Sequence, residues 1–364
     1  MTMLGAQFPG APLFDDEARH YDALLVQSFG GPEGMDDVMP FLENVVRGRN
    51  VPRARLEEVA EHYRHFGGVS PINAQNRALI AALEAELRRQ QIDLPIYFGN
   101  RNWHPFLRDA IAQMKDDGIQ NVLVFITSAY SSWSGCRQYR EDLARDLEAL
   151  PEAGMRFDKI RVFYNHPGFI APMVRSLRAA LDAISAERRE AAEVIFTAHS
   201  IPLAMARGCA YERQLAEACR LVAEGAGAAR YRLAWQSRSG PPQVPWLEPD
   251  ILDTLDALHQ QGVQDVIVLP IGFISDHLEV LYDLDLEAQE RAAALGMTMT
   301  RVPTVGVDPE FVAMIRELIE ERMTGTPDRR AIGRYGPNHD ICPVNCCQMG
   351  EGRPASPQRE PATA

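Results

Sequence analysis

Between Phe273 and Glu287 the chain reads FISDHLEVLYDLDLE, a polar turn after an apolar run and then a segment rich in acids. Ser275 or Asp276 suits a helix N-cap at the turn. Glu279, Asp283 and Glu287 then recur at every fourth position, one above the other on a single helical face. Like charges so placed destabilise an isolated helix by roughly 0.2–0.5 kcal/mol per pair, and only Arg291, one turn further on, offers relief. Carboxylates stacked behind His277 suit two tasks, moving protons and guiding a hard cation. A solvated helix would carry the same acids. This one starts where an apolar strand, residues 265–273, should end, and ligands of open α/β sheets bind outside the carboxyl ends of the strands.

A second imidazole closes another apolar run, VIFTAH, where His199 is followed within three residues by Pro202. A lone histidine at a strand end is commonly a hydrogen-bonded structural residue. Two on one edge, with Glu279 a turn away, mark a catalytic cleft. Imidazole titrates near neutrality and can take and pass protons. Opposite this edge stand Phe29, Trp103, His104, Tyr130, Trp133 and Tyr139, with Ser131 in the hydroxyl-rich SAYSSWS of residues 128–134. Rings on loops at a strand edge can face a flat apolar ligand. Arg47, Arg49, Arg101, Arg137 and Arg140 are candidates for ligand carboxylates, which a planar guanidinium binds in a fork.

The elements that must hold these residues come in two copies. PFLRDAIAQMKDDGIQNVLVF (105–125) and PDILDTLDALHQQGVQDVIVL (249–269) match at a constant offset of 144. Each reads as a helix of period 3.6, a glycine stop (Gly118, Gly262) and a buried strand. The pattern predicts an α/β chain of two βαβαβα lobes with parallel sheets. Strands are expected near 22–29, 95–99, 121–127 and 160–164, and again near 193–198, 231–235, 265–271 and 299–304. The domain reading is an arm over 1–20, a first lobe over 21–167 with an insert at 30–76, a second lobe over 168–325, and an irregular tail over 326–364, disordered beyond Gly350. An insert at a strand's carboxyl end commonly forms a binding lip.

Composition narrows the function. The 364 residues are 46% hydrophobic and carry a formal net charge of −13, which argues against nucleic acid as a partner. No apolar run approaches the ~20 residues that span a bilayer. Residues 1–20 do not read as a secretory signal. A cytoplasmic location is expected, with peripheral membrane contact left open. GxGxxG, GxxxxGK[ST] and GxSxG are all missing, which disfavours dinucleotide, P-loop and serine-hydrolase chemistry. Of six cysteines, Cys342, Cys346 and Cys347 crowd together near the C-terminus, and such a cluster favours metal over disulfides in a reducing compartment.

The pieces LLVQSFGGPE (24–33), GGVSPIN (67–73), RNWHP (101–105), TAHSIP (197–202), LAWQSRSGPPQVPWLEP (233–249) and PIGFISDHLEVLYDLD (270–285) resemble the ferrochelatase family, in order and spacing, over about residues 20–325. The resemblance implies two similar Rossmann-like, chelatase-like lobes with four-stranded parallel sheets and a porphyrin cleft between them. It implies a lyase that inserts Fe²⁺ into a porphyrin without ATP. His199 then looks like the histidine that takes pyrrole protons or contacts the metal, and Glu279 like its carboxylate partner. Asp283 and Glu287 resemble the acidic line leading outward, for protons or for iron. Phe273, Asp276 and His277 take supporting roles, and Phe29 takes a lip position over the macrocycle, with Tyr130, Ser131, Trp133 and Arg47 as further porphyrin contacts.

Some members bind a [2Fe–2S] cluster, and Cys136 with Cys342, Cys346 and Cys347 resemble its four ligands. Adjacent Cys346 and Cys347 depart from the usual spacing, so Cys209 or Cys219 could substitute, or zinc could be bound. Porphyrin and ferrous iron are the implied partners, with an iron donor or other haem-pathway enzymes beside them. QSFGGPEG and GRNVPRARL resemble the branch associated with coproporphyrin III. Alternatives are protoporphyrin IX, another type II chelatase acting on cobalt or nickel, or a non-catalytic tetrapyrrole or iron carrier.

Overall fold

Short runs rich in Val, Ile, Leu and Phe favour strands buried on both faces, as parallel sheets require. In the computed structural model, which describes residues 14–150 and 154–350, eight such runs form two sheets. β1 (Ala23–Ser28), β2 (Ile96–Asn100), β3 (Asn121–Ile126) and β4 (Arg156–Lys159) pair in the order β2-β1-β3-β4. β5 (Glu193–His199), β6 (Tyr231–Gln236), β7 (Asp265–Leu269) and β8 (Thr298–Arg301) pair as β6-β5-β7-β8. All pairings are parallel. The two orders are the same, so the repeat read from the sequence is a repeat of topology. The helix Leu107–Asp116 and strand β3 start 144 positions before the helix Ile251–Gln260 and strand β7. Gly118 and Gly262 both stop their helices at positive φ, +76° and +79°, a left-handed turn that glycine makes without a Cβ clash.

β4 lies earlier than expected. The apolar run Ile160–Tyr164 is not a strand but a buried passage between the lobes. Arg161 within it is 1% exposed, and its Nε and Nη2 donate to the two carboxylate oxygens of Glu321 at 2.8 and 2.9 Å. That pair ties the passage to the helix Pro309–Thr324, which lies against the first-lobe helix Ile72–Arg89 and the helix Pro167–Asp182. One apolar core accordingly runs from Leu24 and Phe125 through Phe163 and Phe169 to Phe196 and Phe311.

The N-terminal segment departs from the expected loose arm where it is described. Asp15 is 8% exposed, and its carboxylate accepts from Arg19 Nε at 2.6 Å and Arg322 Nη2 at 3.1 Å. Burying a carboxylate is costly unless cations pair with it, and the arginines that do so hold residues 14–19 in place. The rest of that expectation, over residues 1–13, and the disorder expected beyond Gly350 lie outside the described residues. The tail from 326 to 350 contains no regular helix or strand but is anchored. Asn165 Nδ2 donates to the Tyr335 carbonyl at 2.8 Å, and Arg329 Nη2 lies 2.9 Å from Asp340.

The insert after β1 folds into the helices Met35–Val45 and Arg53–Arg64. Val38, Phe41, Leu42, Leu56, Ala60 and Tyr63 make a small core that takes in Leu278 of the second lobe. Gln75 clamps the lobes beside it. Its Nε2 donates to the Asp276 carbonyl at 3.0 Å, and the Asp276 N–H donates to its Oε1 at 2.8 Å.

Candidate active site

In a 2-1-3-4 strand order the loops after the first and third strands leave in opposite directions and open a crevice. In the second lobe these are the loops after β5 and β7, and they carry His199 and the segment Phe273–Glu279. His199 is the last residue of β5 and 32% exposed at its side chain. Its Nδ1 lies against the Ser200 carbonyl. A carbonyl only accepts, so in the neutral ring Nδ1 is the donor and Nε2 the nitrogen free to accept. Nε2 faces the crevice 3.9 Å from Glu279 Oε2. Tyr211 fixes the backbone beneath by donating its hydroxyl to the His199 carbonyl at 3.1 Å.

The acidic segment is not the continuous α-helix expected. His277, rather than Ser275 or Asp276, is the N-cap of a short turn Leu278–Val280, and Leu281–Ala288 is π-helical. Asp276 is unavailable for capping because Arg301 Nη1 donates to its carboxylate at 2.7 Å. The wider i→i+5 turn still leaves Asp283 between Glu279 and Glu287, whose charges both push its pKa up. Burial is the larger cause, and together they raise Asp283 to about 7 despite bonds from Ser237 Oγ and from Gln236 Nε2 at 3.1 Å. Burial also pushes Glu287 up and His277 down. His277 packs edge-on against Phe273 at 4.9 Å.

An acid whose pKa is raised in the fold stabilises the protein fully only below its unfolded value, near 4, and that contribution is lost as pH rises to about 7. Asp283→Asn removes the burial of a charge. The variant is expected to match the parent at pH 4 and to exceed it by about 2–4 kcal/mol at pH 8, measured by denaturant unfolding. Equal pH slopes in the two proteins would refute the raised pKa.

The lip insert covers the start of this segment. His62 stacks on Tyr282 with ring centroids 3.8 Å apart, and Phe29 packs edge-on against Phe41 at 6.2 Å. Arg47 is exposed beyond the helix Met35–Val45, its guanidinium on Asn44. Three expected porphyrin contacts lie elsewhere. Tyr130 and Trp133 are 1% and 5% exposed. The Tyr130 hydroxyl donates to the Ile271 carbonyl at 2.9 Å, and Trp133 Nε1 donates to Glu141 at 3.2 Å. Ser131 is buried against Gln214, whose Nε2 donates to its hydroxyl at 3.0 Å. These side chains are buried with their polar atoms engaged and present no face to a ligand. Arg101 and Arg137 are likewise engaged, with Asp142 and Glu141.

A second constellation forms where the tail returns to the first lobe. Cys136 lies in the π-helical turn Trp133–Arg137, against Cys342 and Cys346–Cys347. Hydrogen bonds from the thiols of Cys136 and Cys346 hold Cys342 well below the usual thiol range, and Cys136 is pushed well above it by the same contact. Cys347 has φ +54°, a left-handed turn that brings adjacent thiols to 3.5 Å. Lys159 Nζ and Arg140 Nε and Nη1 are buried nearby without a hydrogen-bond partner among the described residues. Cys219 is buried within the helix Tyr211–Ala226, and the Cys209 thiol donates to the Met205 carbonyl at 3.3 Å. Sequence reasoning passed over Gln75, Lys159, Gln236, Ser237 and His339. Gln236 and Ser237 close a predicted strand, and polar residues at such an end are a usable signal.

Paired four-stranded lobes, with imidazoles and carboxylates at the carboxyl edge of one of them, define a chelatase-type protein. SirB from Bacillus subtilis with Fe³⁺ has this fold, with a TM-score of 0.50 at 12% identity over 84% of this chain and 96% of SirB. The ferrochelatase family model matches residues 21–323. A ferrochelatase of Rhodopirellula baltica is 52% identical over 335 residues, 92% of this chain and 95% of its own. A coproporphyrin III ferrochelatase of Nocardia farcinica is 52% identical over 355 residues, 94% of this chain and 99% of its own. The chain belongs to the ferrochelatase family, and it is a lyase of haem biosynthesis that inserts iron into a porphyrin. Among the described residues no helix is long and apolar enough to cross a membrane.

Proposed function

We propose that the porphyrin is coproporphyrin III and that His199 and Glu279 carry the reaction. The observation that carries this reading is the orientation of His199, with Nδ1 on the Ser200 carbonyl and Nε2 aimed toward Glu279. Metallation removes two N–H protons from the ring while four nitrogens displace water from Fe²⁺. The free lone pair on Nε2 accepts the two pyrrole protons in turn, releasing the first before taking the second, and the Glu279 carboxylate stabilises the imidazolium formed each time. Asp283 and Glu287 then pass protons outward. The raised pKa of Asp283 suits a proton exit better than an iron entry, because a protonated carboxyl is a poor ligand for a hard cation. Phe29 bounds one face of the ring, and Arg47 stands at the rim within reach of propionates. Four propionates call for more cationic rim than two.

The four thiols of Cys136, Cys342, Cys346 and Cys347 hold a [2Fe–2S] cluster in this reading. With four thiolates the oxidised cluster carries two negative charges, which the two buried cations Lys159 and Arg140 would balance. When bound, it supplies a one-electron centre. The chain works in the cytoplasm. Turnover on coproporphyrin III and on protoporphyrin IX, compared under anaerobic conditions, tests the substrate. A kcat/KM at least about tenfold higher on coproporphyrin is expected, a difference of roughly 1.4 kcal/mol. Equal or reversed values would overturn the choice.

A further inference from the structure

The cysteine site contains a donor that four-thiolate ligation does not use. His339 Nε2 lies 3.8 Å from Cys346 Sγ. The ligating atoms of His339, Cys342 and Cys346 all lie within 4.8 Å of one another. The residues on either side of His339 in the chain are anchored. Asn338 Oδ1 accepts from Gln214 Nε2 at 3.3 Å, and the same amide reaches Ser131, five residues before Cys136. Asp340, the next residue, is 3% exposed and takes Arg329 Nε at 3.1 Å. An imidazole positioned by two anchored neighbours is part of the site rather than a passing surface group.

Thiolates on one tetrahedral metal at 2.3 Å stand about 3.8 Å apart. The 3.5 Å between Cys346 and Cys347 is close to that edge, and Cys136 with Cys342 form a second close pair. Cys342 also contacts Cys346, and four thiolates would complete two irons and leave no position for a fifth donor. The 3.8 Å from Nε2 to Cys346 Sγ is within reach of an N–H···S hydrogen bond. Resting on the cluster reading above, we propose that His339 donates its Nε2 proton to the Cys346 sulfur and sets the cluster's reduction potential without being a ligand. Hydrogen bonds to ligand sulfur withdraw charge and raise such potentials.

The test uses the full chain, purified anaerobically and reconstituted with ferric iron and sulfide. Iron and acid-labile sulfide are counted, and the potential is read by a redox titration followed in the visible and by electron paramagnetic resonance. His339→Leu is expected to keep two irons and two sulfides with unchanged spectral shape, while its potential moves to more negative values. His339→Gln, which retains an N–H, is expected to recover part of the shift. An unchanged potential in His339→Leu overturns the proposal alone and leaves the cluster standing. Loss of iron or an altered resonance in that variant, with iron retained in His339→Gln, also overturns it, by making His339 a ligand or a support for one. A parent chain that takes up no iron and sulfide overturns the cluster and this proposal together.

Discussion

His199→Ala is expected to lower metallation by about 10²–10⁴-fold, the range by which a positioned base accelerates proton transfer, while porphyrin binding changes by no more than a few-fold. The side chain closes β5 and reaches the crevice through Nε2, so its removal leaves the backbone bonds of the strand and the Tyr211 support in place. In the proposed reading the porphyrin instead meets the lip, which is built from the helices Met35–Val45 and Arg53–Arg64 after β1. Binding and chemistry therefore separate. Fluorescence quenching of the porphyrin measures the first, and anaerobic iron insertion the second. Near-native turnover would remove His199 from the mechanism, and lost binding would make it a substrate contact. Because Nδ1 is fixed by the Ser200 carbonyl, imidazole added to the buffer is expected to restore only a small part of the rate.

Cys342→Ser is expected to strip the chain of bound iron and to destabilise it by roughly 3–5 kcal/mol, as losing one partner of a buried charge arrangement does. Lys159 and Arg140 point buried nitrogens at the thiols without any hydrogen-bond partner among the described residues. Their charges are tolerable only against an anion. The fall should appear as a melting temperature lower by several degrees, and a chelator strong enough to remove iron from the parent should produce a similar fall. A variant that melts like its parent would show that the cations are balanced in another way.

Much of this architecture was legible. The offset of 144 residues located both helix–glycine–strand units, and the apolar runs located seven of the eight strands to within a few residues. β4 was misplaced because Ile160–Tyr164 is buried on all sides, and a short apolar run reads the same in a strand as in a buried passage. The histidine and carboxylate positions were legible because strand ends carried them. The π-helical geometry was not, since nothing local in LYDLDLEA distinguishes i→i+5 from i→i+4 bonding. Tyr130, Ser131 and Trp133 were misread because rings and hydroxyls next to a strand end suit a ligand or a core equally. What decided between them was Gln214 and the Ile271 carbonyl, both distant in sequence, and Glu141, two turns further along the same helical run. His339 was invisible for the same reason, its value lying in the Gln214 and Arg329 contacts that fix its neighbours.

The return of the tail to Cys136 has a consequence for how the molecule is made. About two hundred residues of chain separate Cys136 from Cys342, so the thiols meet only after both lobes have been synthesised and docked. In the cluster reading, a link across so long a loop would remove much of the freedom of the unfolded chain. The crevice needs the chain as far as Arg301, which holds Asp276, and so precedes Cys342 in the order of synthesis. In the cluster reading, the cysteine site can be filled only once both lobes have been made and the tail has returned to Cys136.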